Sequence, residues 1–361
     1  MAFHPRYTLS PSMTRALMSI EADRQAVLGL PIDVEMLASL RATARLLSTH
    51  YSTQIEGNRL TQAQVAEAIK GARFPGRARD EAEVKNYYAA MEWVEKKAAA
   101  SRRVSEDDAR ALHGLVMEGR AKGSPYRDGQ NVIRDSGTGA IVYLPPEAKA
   151  VPALMGDLFA WVGREIISAD LPVPVVAGMA HYQYATIHPY YDGNGRTARL
   201  LTTLVLHQHG YGLKGIYALE EYYARDLGSY YGALAIGTSH NYHAGRAEAD
   251  VSPFLDYFLR GMADAFARVR VRATEAAGRG AGDRSAQIRR LDPKQREAVK
   301  LFRRQPTVAV AALAEQLGLS PRTVRPLVQR WVREGFLVVA DPSRKNRLYR
   351  IAPAWEALIT S

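Results

Sequence analysis

The sequence predicts a mainly α fold in two parts, on three observations. Ala, Leu, Glu, Arg and Met recur at helical spacing over most of the 361 residues. Cap and stop signals bracket those runs. Only two stretches break the pattern, a β-prone segment at 131–146 and another near the C-terminus. No apolar run approaches the roughly 18 residues of a membrane-spanning helix, and the start, MAFHPRYTLSPSM, lacks the apolar centre of a secretion signal. A cytoplasmic location without a membrane partner is therefore expected. The absence of cysteine leaves out disulfides, thiolate nucleophiles and thiolate metal sites.

Ser10 and Pro11 open a first helix as cap and first-turn residue. A second runs from about Arg41 to Glu56, with Gly57 as its stop. Glu56 sits in its last turn, where the helix dipole disfavours an acid by roughly 0.3–1 kcal/mol. LTQAQVAEAIKG, residues 60–71, offers Thr61 as cap, Gln64 as its reciprocal partner and Gly71 as stop. NVIRDSGTGAIVYLPP, residues 131–146, places two short β-prone runs around DSGTG and so predicts a hairpin. PVVAGMAHYQYATI, residues 174–187, is helical, and Leu200, Leu201, Leu204 and Val205 recur at buried-helix spacing before Gly210.

TEAAGRGAGDRSA, residues 274–286, is small, glycine-rich and free of large apolar side chains, the composition of a linker. It places a linker at 276–288 between a first domain, 1–275, and a second, 289–361. The second begins with Asp292 and Pro293 as cap and first helical residue. A helix ending at Leu317, a turn at Gly318, a start at Ser320-Pro321, a stop at Gly335 and two strands around DPSRKN fit a winged helix-turn-helix. Pro326, at about the sixth position of the second helix of that motif, predicts a kink. The net charge of +11 is concentrated here, with 15 Lys and Arg against 6 Asp and Glu from Arg289 onward and 33 against 31 before it. Such asymmetry points to an anionic partner.

HPYYDGNGRTARL, residues 188–200, carries the densest polar chemistry in the chain. It lies between two helical runs, a loop feeding a helix N-terminus. There the free N–H groups and the dipole favour an anion, and Gly193 and Gly195 allow close approach to the backbone. Arg196 and Arg199 add charge, so the stretch outlines a polyphosphate cradle. Gly193 to Ala198 also fits the dinucleotide pattern G-x-G-x-x-A, but no strand precedes it, and no Lys-Ser or Lys-Thr pair completes a Walker motif. Residues alone imply nucleotidyl or phosphoryl transfer.

HPYYDGNGRTAR resembles the signature of the Fic family, H-x-F-x-(D/E)-G-N-G-R-x-x-R, and departs from it only at Tyr190. The resemblance implies a Fic-type helical bundle with a small β-hairpin flap over about residues 1–265. It implies His188 as general base toward a target Ser, Thr or Tyr hydroxyl, and Asp192 as the Mg²⁺ ligand. Asn194, with Gly193 and Gly195, would stabilise charge on the α-phosphate, and Arg196 and Arg199 would grip the β- and γ-phosphates of ATP. The activity implied is protein adenylyltransfer, in which AMP passes to the target and pyrophosphate leaves.

Ser52 to Gly57 resembles the family's inhibitory motif (S/T)-x-x-x-E-(G/N), placed N-terminal to the signature as in the second of the family's three classes. In that arrangement Glu56, on a helix of about 41–56, pairs with Arg199 and denies it to the γ-phosphate. The same glutamate implies an alternative direction, de-AMPylation by an oriented water. The 131–144 hairpin resembles the flap that holds a target segment as an added edge strand, the target being another protein or the chain itself, and Tyr231 stands where relatives pack adenine. In the tail, Arg322, Thr323 and Arg325 would face DNA bases and Arg344, Lys345 and Arg347 its phosphates. A DNA-binding regulator that only senses nucleotide is the competing reading, and a homodimer is a further expected assembly.

Overall fold

The computed structural model describes residues 3–355 apart from 102, 135–137, 238, 342, 344–346 and 354, and for 279–290 it describes the backbone alone. The residues group into two compact units, 1–30 with 37–273 and 31–36 with 274–361. Among the described residues, no helix is long and apolar enough to cross a membrane.

Helices dominate the first unit. α1 (Pro11–Leu28) is capped by Ser10, whose hydroxyl accepts from Met13 N–H. α2 spans Val34–Ile55, a turn or two earlier in start than the sequence signals suggest, because Val34–Leu40 already has helix-compatible composition after Asp33. α3 (Gln62–Ile69) carries the full reciprocal cap of Thr61 and Gln64. α4 (Ala78–Ala100) and α5 (Glu106–Glu118) follow, the latter ended by Gly119 in the left-handed region. β1 (Ile133–Arg134) and β2 (Ile141–Tyr143) form an antiparallel hairpin. The unit is completed by α6 (Val151–Ser168), α7 (Val173–Ile187), α8 (Asn194–Gln208), α9 (Glu220–Arg225), α10 (Leu227–Leu234) and the first part of α11 (Ser252–Arg290).

α8 is the axis of this unit. It packs on α7, α4 and α5, and Arg196 to Leu206 are all buried along it. A helix enclosed on every side must place its polar groups against partners. Thr202 and Thr203 return their hydroxyls to Ala198 and Arg199 carbonyls, which leaves the charged residues of its first turns for the site.

The second unit is built from α12 (Pro293–Phe302), β3 (Val308–Ala309), α13 (Val310–Leu317), α14 (Pro321–Arg333), β4 (Leu337–Asp341) and β5 (Leu348–Ile351). The strands form an antiparallel sheet in the order β3-β5-β4, over a core of Phe302, Leu313, Val324, Val328, Trp331 and Phe336. One expectation changes here. The backbone of 276–288 is helical, continuous with α11, instead of an open linker; its Ala, Glu and Arg residues favour helix, and each glycine weakens it by about 1 kcal/mol without forbidding it. α14 runs unbroken through Pro326. The proline ring is exposed and Val324 and Val328 on either side are buried, so packing outweighs the lost hydrogen bond.

Candidate active site

α7 ends because His188 takes a left-handed backbone, φ 52° and ψ 62°, while its N–H still closes the last turn on Tyr184 O at 3.0 Å. A side chain held there costs roughly 1 kcal/mol or more, and it turns the chain into the 188–193 loop. His188 Nδ1 lies 3.3 Å from Ala185 O. A carbonyl only accepts, so Nδ1 carries the proton and Nε2 keeps the lone pair. Burial lowers the imidazole pKa to about 4; the Ala185 carbonyl and Glu56 oppose that shift, and Arg127 reinforces it. His188 is thus a neutral acceptor throughout the ordinary pH range.

The loop is fastened from inside. Asn194 Oδ1 accepts from Tyr190 N–H at 3.0 Å and its Nδ2 donates to Tyr190 O at 2.8 Å, so its amide grips one loop residue on both sides. The sequence reading gives that amide to a phosphate; in the structure it is committed to the loop, and the open donors are backbone N–H groups of the first turn of α8. The Tyr190 ring is buried and stacks on His113 at 3.5 Å between centroids. His113 Nε2 also meets Asp192 O at 3.0 Å. Gly193 starts α8 with φ 77°, and a Cβ there would come within 2.7 Å of Met117 Sδ. The left-handed conformation calls for glycine, and a larger residue would also have to push the Met117 side chain aside.

Charge converges on the start of α8, which has no side-chain cap. Asp192, half exposed, accepts through Oδ1 from Gly193 N–H at 2.6 Å and from Arg196 Nη2 at 3.1 Å. Arg196 is buried and also pairs with Glu83 at 3.3 Å. Arg199, whose side chain is 1% exposed, donates from Nε to Ser52 Oγ at 2.8 Å and from Nη2 to Ser52 O at 2.9 Å and Glu56 Oε1 at 2.8 Å. Burial works against its charge, but Glu56 and the tyrosines Tyr230 and Tyr87 outweigh it and hold the guanidinium pKa above its usual value. Gly57, at φ 90°, turns the chain after Glu56. A Cβ on Gly195 would meet Glu56 Oε1 at 2.3 Å, so the carboxylate rests directly on the first turn of α8. Tyr231 is half exposed and its hydroxyl donates to Ile55 O at 3.3 Å, beside Glu56; its neighbour Tyr230 is a core residue bonded to His181.

His188, Asp192, Gly193, Asn194, Gly195, Arg196, Arg199, Ser52, Glu56, Gly57 and Tyr231 thus gather around one helix terminus. Arg322, Thr323, Arg325 and Arg347 are exposed and belong to the second unit; Arg344 and Lys345 lie outside the described residues. Sequence reasoning missed His113, Glu83, Asn58, Tyr191 and Arg127. Asn58 Nδ2 donates to Glu83 Oε2 at 3.0 Å, which ties the turn after Glu56 to the partner of Arg196. Tyr191 Oη donates to Asp128 at 2.8 Å and accepts from Gly129 N–H at 2.8 Å. Arg127 reaches His188 O. None of these carries a spacing signal, since each acts through long-range contacts or through carbonyls that every residue has.

Residues 103–206 match the Fic/DOC family. Protein adenylyltransferase Fic of Drosophila erecta is 29% identical over 201 residues, 55% of this chain and 39% of its own length; that of Drosophila willistoni is 28% identical over the same extent. The chain therefore spans about two fifths of the length of these relatives. Among solved structures, a Fic family protein from Desulfovibrio desulfuricans is similar at TM-score 0.61 and 25% identity, over 97% of this chain and 99% of that one. A Fic-domain signalling protein from Bacteroides thetaiotaomicron shares the fold at TM-score 0.60 and 24% identity, over 74% of this chain and 97% of its own. With the signature folded around the N-terminus of α8, the chain carries a Fic/DOC family domain.

Proposed function

We propose that the protein is a nucleotidyltransferase that moves AMP from ATP to a Ser, Thr or Tyr hydroxyl of a target protein, and that Glu56 restrains it. One observation carries the reading: a carboxylate oxygen already lies against the open first turn of α8 and 2.8 Å from Arg199. A helix N-terminus with two buried arginines is built for an anion, and Glu56 holds the place a triphosphate would take. In the reaction the target hydroxyl oxygen bonds to the α-phosphorus, the bond to the pyrophosphate oxygen breaks, and the hydroxyl proton passes to Nε2 of His188.

The donor set suits Mg²⁺ held jointly with the nucleotide. Asp192 offers one half-exposed carboxylate, and among the described residues no group of three or more His, Asp or Glu side chains could cage a metal. Mg²⁺ commonly rests on one or two carboxylates and phosphate oxygens, whose charge it offsets. Asp192 would hold the cation, and Arg196, already bonded to its Oδ1, would keep the carboxylate in place beside the start of α8.

The test incubates the full chain with Mg²⁺ and α-labelled ATP, with and without cell lysate, as wild type, Glu56→Gly, and Glu56→Gly with His188→Ala. Label on protein chiefly in Glu56→Gly, lost with His188, is expected. Transfer of γ-label, or none from any variant, overturns the assignment.

A second reading concerns the winged helix-turn-helix at 289–361. α14 buries Val324, Val328 and Trp331 and leaves Arg322, Thr323 and Arg325 exposed on its first turns, which supports major-groove DNA binding. The full chain should shift duplex DNA with a steep salt dependence that Arg322→Ala with Arg325→Ala weakens; equal shifts by both proteins would sink it.

A further inference from the structure

Arg127 is 4% exposed, yet among the described residues no carboxylate pairs with it and all its acceptors are main-chain carbonyls. Nε donates to His188 O at 3.0 Å, Nη1 to Gly129 O at 3.0 Å and Nη2 to Pro146 O, while its own N–H donates to Pro189 O at 3.0 Å. A buried guanidinium without a counter-charge is expensive, so the site must use what only arginine has, a rigid planar fork with donors in several fixed directions. Those directions are informative. Gly129 lies just before the β1–β2 hairpin and Pro146 just after it, so one planar group joins both roots of the hairpin to the carbonyl of the histidine. Neighbouring contacts repeat the join: Tyr191 Oη accepts from Gly129 N–H, and Asn131 Nδ2 donates to Tyr190 O at 3.2 Å.

We propose that Arg127 is a positioning residue that fixes the β1–β2 hairpin relative to the His188 imidazole and so sets the register of a target hydroxyl against its base. The inference rests on the adenylyltransferase reading, in which the hairpin holds the target as an added strand. Backbone pairing alone fixes a target along the hairpin; only a rigid link from hairpin to histidine fixes it against the base. A misplacement of about 1 Å at such a site costs on the order of a hundredfold in rate.

The test uses the full chain in a Glu56→Gly background with Arg127→Lys, which keeps the charge but loses the fork, and Arg127→Gln. Three quantities are read: amide hydrogen exchange of 128–146 against α7 and α8, MgATP affinity by calorimetry, and labelled AMP transferred at saturating ATP. Exchange in 128–146 should quicken about tenfold or more with the helices unchanged, ATP affinity should stay within about twofold, and transfer should fall about tenfold or more. Unchanged exchange in 128–146 overturns the proposal, as does an ATP affinity that falls in step with transfer. If Arg127→Gln does not fold, Arg127→Lys alone decides. If the Glu56→Gly parent transfers no AMP, the adenylyltransferase reading fails, and the exchange pattern still decides whether Arg127 fastens the hairpin.

Discussion

Glu56 Oε1 lies 2.8 Å from Nη2 of Arg199, across 143 positions of sequence. The contact resolves two misfits at once. An acid just past the C-terminus of α2 faces the negative end of that helix, and an arginine enclosed in α8 faces the cost of burial. Placed on the first turn of α8, over Gly195, the carboxylate meets the positive end of a different helix and the buried cation together.

Glu56→Gly should therefore lower stability, by roughly 1–3 kcal/mol, because Arg199 loses its carboxylate partner and keeps the neutral Ser52 and tyrosine contacts. MgATP should restore more stability to this variant than to wild type, since a triphosphate replaces the lost anion. Thermal melts with and without MgATP check it. An equal ATP-induced rise in both proteins would mean that Glu56 and nucleotide do not compete.

A pH profile tests the base. Burial lowers the His188 pKa to about 4, with the Ala185 carbonyl and Glu56 opposing, so the base is unprotonated down to that pH. AMP transfer by Glu56→Gly should stay level through pH 6.5 and fall only as pH approaches 4, because removing Glu56 takes away an influence that raises the pKa. A midpoint near the ordinary 6.5 would contradict this placement of the imidazole. Folding follows the same sign. The unfolded chain takes up protons below about 6.5 that the folded chain refuses at His188, at His207 (about 4) and at His181 (about 3), so Tm should decline from pH 6.5 toward 4.

The first turn of α8 and its loop are legible in sequence because their chemistry is local: His188, Asp192, Gly193 and Asn194 fall within seven positions. Caps were legible for the same reason, as at Ser10, Thr61, Asp292 and Ser320. Arg127, Glu83 and His113 were not, because their partners lie 61, 113 and 79 positions away and two of them bond to carbonyls, which leave no mark on residue identity. The 276–288 segment misled for a different reason. Its glycine content suggests openness, while Ala, Glu and Arg between the glycines sustain a helix.

Tyr190 replaces the phenylalanine usual in the signature, and its hydroxyl is buried without a hydrogen-bond partner among the described residues. Its ring meanwhile makes the stacking contact with His113. Tyr190→Phe keeps the ring and removes the unpaired polar atom, so it should stabilise the chain by about 1 kcal/mol and leave AMP transfer within about twofold. Urea denaturation gives the first quantity. A loss of stability would reveal a partner for the hydroxyl, such as an ordered water.

Pro326 sits in the interior of α14 with its ring exposed. Having no N–H, it leaves the Arg322 carbonyl without the donor that a helix would supply, and interior proline costs a helix about 3 kcal/mol relative to alanine. Proline also restricts the unfolded chain, which returns roughly 0.5–1 kcal/mol. Pro326→Ala should therefore stabilise the second unit by roughly 2 kcal/mol, since no packed surface is lost. Amide exchange across 327–333 should slow, with the first unit's helices unaffected. Exchange that instead quickens would mean that the ring, and not the hydrogen bond it displaces, sets the course of α14, and the exposed arginines at 322 and 325 would then owe their presentation to the proline.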